Sequence, residues 1–299
     1  MRNEQHRVDF GVVGGGLAGM IAAIAAARRG LRVALVQDRP VLGGNASSEI
    51  RMTIGGARGS NVRETGILEE IRLENLRRNP QANYAIWDSV LYEKVRFQPG
   101  LELFLNCTVN RASLADGRIH SVTGWQLTTE TWHEIEADLF ADCTGDGLLG
   151  ALAGADYRIG REARAEFGET IAPPEADRKT MGLSCLLQLR ETDRPQPFVK
   201  PDWAYTYRTD AELGRSGHGS RSGNFWWIEV GGDRDSIHDA EACRDELLKI
   251  VFGVWDHLKN QGDHGLANWT VEWIGFLPGK RESRRLIGDH ILTQSDVQA

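Results

Sequence analysis

Cysteine is scarce and scattered in this chain of 299 residues. Cys107, Cys143, Cys185 and Cys243 stand far apart with no C-x-x-C pair, which argues against a zinc site and a redox dithiol and fits thiols kept reduced in a cytosol. Runs of one charge sign are missing too. No block of five like charges occurs, and 35 basic against 42 acidic side chains leave a formal charge of −7, so no footprint for a polyanion exists and a nucleic-acid partner is not expected. Phe10 to Ala27 is uncharged, yet Gly14, Gly15 and Gly16 interrupt it and Glu4 and Asp9 precede it, unlike a spanning helix or a secretory leader. No repeat or low-complexity tract is visible, and neither a Ser-His-Asp nor a Cys-His pattern marks a nucleophile. The expectation is a soluble, cytoplasmic protein with no membrane partner and no metal site. Nothing in the residues specifies an oligomer.

The length allows one large or two ordinary domains with a sizeable core. Arg7 to Val13 reads as a strand, three glycines follow, and the alanine-rich Leu17 to Arg29 has high helix propensity, closed by Gly30. Leu31 to Gln37 reads as a short strand buried on both faces, so the first forty residues form a βαβ unit. Residues 38 to 63 are rich in Gly, Ser, Asn and Arg and too long for an ordinary connection, which makes them a candidate binding loop. Helices are expected over Thr65 to Arg78 and Asn83 to Phe97. Strands follow at Leu101 to Leu105, Thr108 to Ala112, Arg118 to Leu127 and Trp132 to Glu136, a meander where a plain βαβαβ domain would place a helix. Ala137 to Asp142 reads as one more buried strand before a short helix, Leu148 to Ala153. Beyond about residue 156 prolines punctuate strands at Met181 to Arg190 and Asn224 to Val230, and one long amphipathic helix spans about Ile237 to Lys259.

Gly14-x-Gly16-x-x-Gly19 lies between the first strand and the first helix, the context a dinucleotide fingerprint requires. Gly14 permits the tight turn, Gly16 lets backbone N–H groups approach a pyrophosphate, and Gly19 lets helix pack on strand. The helix N-terminus then favours the anion. The bland alternative is a glycine turn with no ligand. An acidic residue is expected at the end of the second strand to accept from ribose hydroxyls; here Gln37 stands there, followed by Asp38. Gln can accept through its amide oxygen, and Asp38 can replace it if the strand ends one residue later; both can also simply open a surface loop.

Three features together resemble a known family: the opening glycine turn, the segment Gly43-Gly44-Asn45-Ala46-Ser47-Ser48-Glu49-Ile50-Arg51, and the turn Asp142-x-Thr144-Gly145-Asp146 after the meander. The chain is similar to the FAD-dependent oxidoreductases of the glutathione-reductase-like superfamily. Trp226 to Gly232 and Gly279 to Arg285 also look like that group. The resemblance implies an α/β chain with a Rossmann-like (glutathione-reductase-type) FAD-binding domain containing a β-meander, plus a strand-rich α+β substrate domain. It implies FAD as cofactor, its pyrophosphate at Gly14, Gly15, Gly16, Leu17, Ala18 and Gly19. The adenosine ribose would lie near Gln37, Asp38 and Arg39, and adenine beside the backbone of Thr108 and Val109. Gly43, Gly44, Asn45, Ser47 and Ser48, with Thr144, Gly145 and Asp146, would border the remaining pyrophosphate and the flavin. Members of the family return to the FAD domain with an apolar strand and an Ala-Gly contact. Nothing between Arg281 and Ala299 supplies it, so the expectation is a chain truncated within that return.

The expected division is residues 1–155 for the first part of the FAD-binding domain, 156–278 for the substrate domain and 279–299 for the start of the return. The expected activity is hydride transfer between a small organic substrate and flavin, which needs no nucleophile or metal from the protein. An NAD(P)-dependent dehydrogenase and a non-catalytic nucleotide-binding remnant are the alternatives. Catalytic candidates are Arg51 at the cofactor's edge, His218 in the loop Gly214 to Gly223, and Arg281, whose group with Arg284 and Arg285 can equally be a solvated basic face. His257 and His264 are seven apart, a spacing that suits no common zinc pattern and that a helix end with its loop explains. Trp226 and Trp227 alternate faces on a strand and are expected in the core.

Overall fold

The computed structural model describes every residue except 57, 58, 61, 217–223, 226, 227, 263 and 299. The described chain divides into two compact units. The first comprises 1–48, 53–158 and 284–299; the second comprises 49–52 and 159–283.

In the first unit, β1 (Arg2–Val13) is followed by α1 (Leu17–Arg28), β2 (Val33–Val36), α2 (Gly66–Arg78), α3 (Tyr84–Arg96), β3 (Leu101–Phe104), β4 (Cys107–Ala115), β5 (Arg118–Gln126), β6 (Thr131–Asp142) and α4 (Leu148–Leu152). They form one six-stranded sheet in the order β3-β2-β1-β6-β5-β4. β1, β2, β3 and β6 are parallel, while β4, β5 and β6 form the antiparallel meander. This is the expected Rossmann-like α/β arrangement. All four residues of β2 are buried, as a strand covered on both faces must be. Helix α1 turns Gly19, Met20, Ala23, Ile24 and Ala27 inward, a stripe of mostly small residues that lets its axis approach the sheet closely. Asn83 caps α3 by accepting from the N–H groups of Ala85 and Ile86 at 2.8 and 3.3 Å.

Two cores form on opposite faces of the sheet. Val12, Met20, Ile24, Val33, Leu35, Ile71, Leu91 and Val95 close one under α1 to α3. On the other, Val8 of β1 with Val109, Val122 and Ile135 of the meander close over Ala34, Val36 and Phe104, joined by Leu149 of α4.

One expectation needs correction here. Trp132 to Glu136 and Ala137 to Asp142 are a single strand, because pairing with β1 runs from Arg2↔Thr131 to Val13↔Asp142. Nor is its second half buried: Leu139 is 59% exposed.

In the second unit, β8 (Leu183–Ser184) and β9 (Leu187–Glu191) replace the single strand expected over Met181 to Arg190 and belong to different three-stranded sheets. The break falls where the Leu186 carbonyl accepts from Gly275 N–H at 3.0 Å. Leu183, Cys185, Leu187 and Leu189 nevertheless point to one core. They meet Cys243, Leu247, Val251, Val254 and Leu258 from α6 (Ala240–Asn260), the largest element of this unit. Short strands, namely β10 (Asn224–Phe225), β11 (Glu229–Val230), β12 (Trp269–Ile274) and β13 (Gly279–Lys280), complete the sheets. Trp226 and Trp227 lie outside the described residues. Truncating any of the core leucines costs roughly 2–5 kcal/mol by the usual transfer and cavity terms.

Chain 284–299 returns to the first unit, where β14 (Arg285–Leu286) pairs antiparallel with β7 (Tyr157–Arg158). Among the described residues no helix is long and apolar enough to cross a membrane. All four cysteines are free, and burial pushes the thiols of Cys107 and Cys185 up to about 12.

Glu70 of α2 joins three helices, receiving Arg28 of α1 at 2.7 Å and Lys94 of α3 at 2.8 Å. Those two cations, Arg28 first, hold its carboxyl at about 2 against an ordinary 4.5. The depressed value means the contribution is present above pH 4.5 and lost as pH falls toward about 2. Because the side chain is 39% exposed, the effect is small, under about 1 kcal/mol. Glu70→Gln is expected to lower the thermal midpoint slightly at pH 7, and the gap to wild type should close through that acid window in calorimetry.

Candidate functional site

β1 and β6 are parallel neighbours whose chains leave their carboxyl ends toward opposite faces, into α1 on one side and α4 on the other. A crevice at the strand ends follows from that divergence. Two glycine turns line it.

In the first turn, Gly14 sits at φ +104°, and its N–H donates to Val36 O at 2.8 Å. A Cβ there would stand 2.2 Å from Cys143 O, so the backbones of the two turns pass in direct contact. A Cβ on Gly19 would stand 1.9 Å from Gly14 O. Gly16 differs: a Cβ on it meets nothing within 4 Å. The fingerprint's glycines therefore divide into two that permit packing and one that faces open space. No side chain caps α1, and no acidic residue stands in its first turn, so the positive end of the helix is not compensated there. Ala18 is exposed, and Gly16 and Leu17 are half-buried.

Gln37 lies beneath this turn. Its Oε1 accepts from Gly15 N–H at 2.7 Å, its Nε2 donates to Val41 O at 3.2 Å, and the residue is 5% exposed. Asp38 is the exposed carboxylate at the strand end, 3.7 Å from Arg39 Nε. The start of β4 lies alongside, since Cys107 N–H donates to Gln37 O at 2.9 Å and Asn106 N–H to Arg39 O at 3.2 Å. Thr108 there is exposed and Val109 buried.

The Gly43–Ser48 segment is tied to the same turn. Gly43 bridges Gly16 and donates to Gly15 O at 2.9 Å, with φ of +105° at Gly43 and +58° at Gly44. Helix α3 holds the segment from the other side: Trp87 Nε1 donates to Ala46 O at 2.8 Å, and Asp88 accepts from Ser48 N–H at 3.1 Å. Asn45 is exposed at the tip and Ser47 is buried.

Asp142 organises the second turn. Its Oδ1 accepts from Thr144 N–H at 3.1 Å and Thr144 Oγ1 at 2.7 Å, and its Oδ2 accepts from Gly150 N–H at 2.9 Å. Thr144 Oγ1 in turn accepts from Leu148 N–H at 2.9 Å. Gly145 is exposed at φ +80° with open space beside it. Arg284 donates to Asp146 O at 3.2 Å and stacks over Tyr157. Gln37 and Asp142 as braces were missed from sequence, although a Gln at an acidic position and the Asp-x-Thr spacing were both visible signals.

The remaining candidates belong to the second unit or lie outside the described residues. Arg51, at φ +63°, belongs to the second unit, where it donates to Gln188 Oε1 and lies 4.3 Å over the Trp273 ring. Arg281 pairs with Glu229 at 3.5 Å. His218 lies outside the described residues. His257 is buried, with Nδ1 at 2.9 Å from Tyr207 O and Nε2 at 3.0 Å from Asp210 Oδ1; His264 is 4.9 Å away between ring centroids. These three side chains thus form a cluster that the seven-residue spacing had not suggested.

An α/β sheet with glycine turns at the carboxyl ends of adjacent strands defines a nucleotide-binding protein. The family model of FAD dependent oxidoreductases matches residues 9–299, and the chain belongs to that family, with FAD as its cofactor. Among solved structures it is similar to a geranylgeranyl bacteriochlorophyll reductase-like protein from Thermoplasma acidophilum, at 13% identity and TM-score 0.50, covering 92% of this chain and 66% of that one. Other similarities are to a myxobacterial FAD-dependent chondrochloren halogenase (17%, 0.41, covering 64% and 46%) and a glycerol-3-phosphate dehydrogenase from Bacillus halodurans (15%, 0.38, covering 63% and 41%). The chain spans 66% or less of each of these proteins.

Asp142→Ala removes the acceptor of three donors. Expected is a loss of roughly 1–3 kcal/mol in chemical denaturation, with Asp142→Asn retaining part of it.

Proposed function

We propose that this chain transfers hydride between a small organic substrate and FAD. The family match supports the class of chemistry. The observation that carries the reading for this chain is the open space at Gly16, at an uncapped helix N-terminus; Gly145 of the second turn is likewise open. A Cβ would fill that space, and backbone close enough to receive a diphosphate is what the group requires.

In this reading the N–H groups of Gly16, Leu17 and Ala18 hold the pyrophosphate, while Gly14, Gly15 and Gly19 shape the turn. Since Gly15 N–H is already given to Gln37, Gln37 acts as a brace and Asp38, with Arg39, meets the adenosine ribose. Thr108 and Val109 border adenine. Gly43, Gly44, Asn45, Ser47 and Ser48 line the diphosphate side, with Thr144, Gly145 and Asp146 toward the flavin. FAD supplies the hydride chemistry when bound; the protein's share is placement and electrostatics. The second unit, residues 159–283 with 49–52, is the substrate-recognising part. Its arginines, Arg51 and Arg281, suit an anionic group on the substrate. Four unpaired cysteines support a cytoplasmic location.

The test is direct. Purified protein should be yellow with FAD and bleach under anaerobic substrate, and a colourless protein that binds no FAD would refute the reading. Gly16→Val should lower FAD affinity at least about tenfold while leaving the unfolding midpoint of the FAD-free protein unchanged. Gly19→Ala should instead cost stability, roughly 1–3 kcal/mol, through overpacking against Gly14. Equal FAD binding by Gly16→Val and wild type would remove the pyrophosphate from this turn.

A further inference from the structure

Three potential metal ligands meet on the meander side of the first unit, and none of them belongs to the cradle. Glu4 and His6 are two apart on β1 and so share a face. The parallel register sets Glu4 opposite His133 of β6. His6 Nε2 lies 3.0 Å from His133 Nδ1, and Glu4 Oε2 lies 4.0 and 3.7 Å from those two atoms. A tetrahedral ion with bonds of ~2.0–2.1 Å spaces its ligands about 3.4 Å apart, in the middle of these separations.

The hydrogen-bond network fixes the proton on one of the two rings. Gln126 Nε2 donates to Leu105 O at 2.8 Å, and Thr129 Oγ1 donates to Gln126 Oε1 at 2.6 Å, so that oxygen is what faces His133 Nε2 at 3.2 Å. His133 therefore donates from Nε2 and presents a lone pair at Nδ1. The far nitrogen of His6, Nδ1, faces the Glu102 carboxylate at 3.6 Å. In the tautomer that keeps its proton on Nδ1, Nε2 offers a second lone pair; in the other, Nε2–H donates to His133 Nδ1. In the first tautomer two imidazole lone pairs and a carboxylate oxygen converge on one point, the donor set a cation requires. The other nitrogen of each imidazole faces an oxygen, at 3.2 Å for His133 and 3.6 Å for His6, the orientation that metal-bound histidines adopt. Both rings pack on Phe104, centroids 4.8 and 5.0 Å away, which holds their orientation.

We propose that Glu4, His6 and His133 bind a divalent transition cation of the Zn²⁺ class, with one coordination position left for water. Two nitrogens and one carboxylate oxygen suit that borderline ion better than Mg²⁺ or Ca²⁺, which take oxygen ligands. Such an ion would tie the first halves of β1 and β6 together.

The experiment uses the full FAD-loaded chain, stripped with chelator and titrated with Zn²⁺ alone. Bound metal is counted by atomic emission and thermal unfolding is followed in parallel. Expected are a saturable Zn²⁺ equivalent at this site and a raised unfolding midpoint, with Glu4→Gln and His6→Gln each weakening binding about tenfold or more. Glu4 is half-exposed, so its variant keeps the fold even if a histidine variant does not. His264→Gln, which disrupts the separate Asp210–His257–His264 cluster, should leave this binding unchanged. No saturable zinc, zinc held equally by Glu4→Gln, or zinc lost only with His264→Gln would overturn the proposal and leave a hydrogen bond between His6 and His133.

Discussion

Everything at the strand ends rests on two backbones touching where no side chain can stand. Gly14 reaches from β1 toward the end of β2 through its N–H, and it lies against the Cys143 carbonyl leaving β6. Gly19 then lets α1 settle onto Gly14. With a methyl group at any of these contacts, strand, helix and second turn would move apart by more than an ångström, and the crevice would lose its floor. Gln37 and Asp142 complete the arrangement by occupying the turns' own N–H groups, which fixes the loops before any ligand arrives.

Much of this was legible from the residues, because local rules govern it. The β1–α1–β2 unit announces itself by apolar runs around a glycine fingerprint, and Asn83 and Gly30 mark helix ends through capping chemistry. The meander was visible from its turn signals. What escaped the sequence was set at long range. The continuity of β6 depends on its pairing with β1, and no local signal distinguishes Glu136-Ala137 from a break. Arg51 follows the glycine loop in sequence, and its packing against Trp273 and Gln188, residues over a hundred positions away, has no local signal. Met181 to Arg190 has the alternation of one strand, but two sheets share it.

The same distinction explains why the glycine turns could be read as a motif while the cluster of Glu4, His6 and His133 went unseen. A motif within six residues is readable as text. Ligands separated by well over a hundred residues become neighbours only through strand register, and register is a property of the folded sheet.

The pairing of β7 with β14 imposes an order on synthesis. Tyr157 and Arg158 leave the ribosome long before Arg285 and Leu286, with residues 159–283 between them. At ~5–20 residues per second the interval is on the order of ten seconds. Through that interval Gly150 lacks the Leu286 side chain that later covers it, and β7 presents an unmatched edge of the kind other chains can join. The first unit is thus completed only when its own late segment arrives.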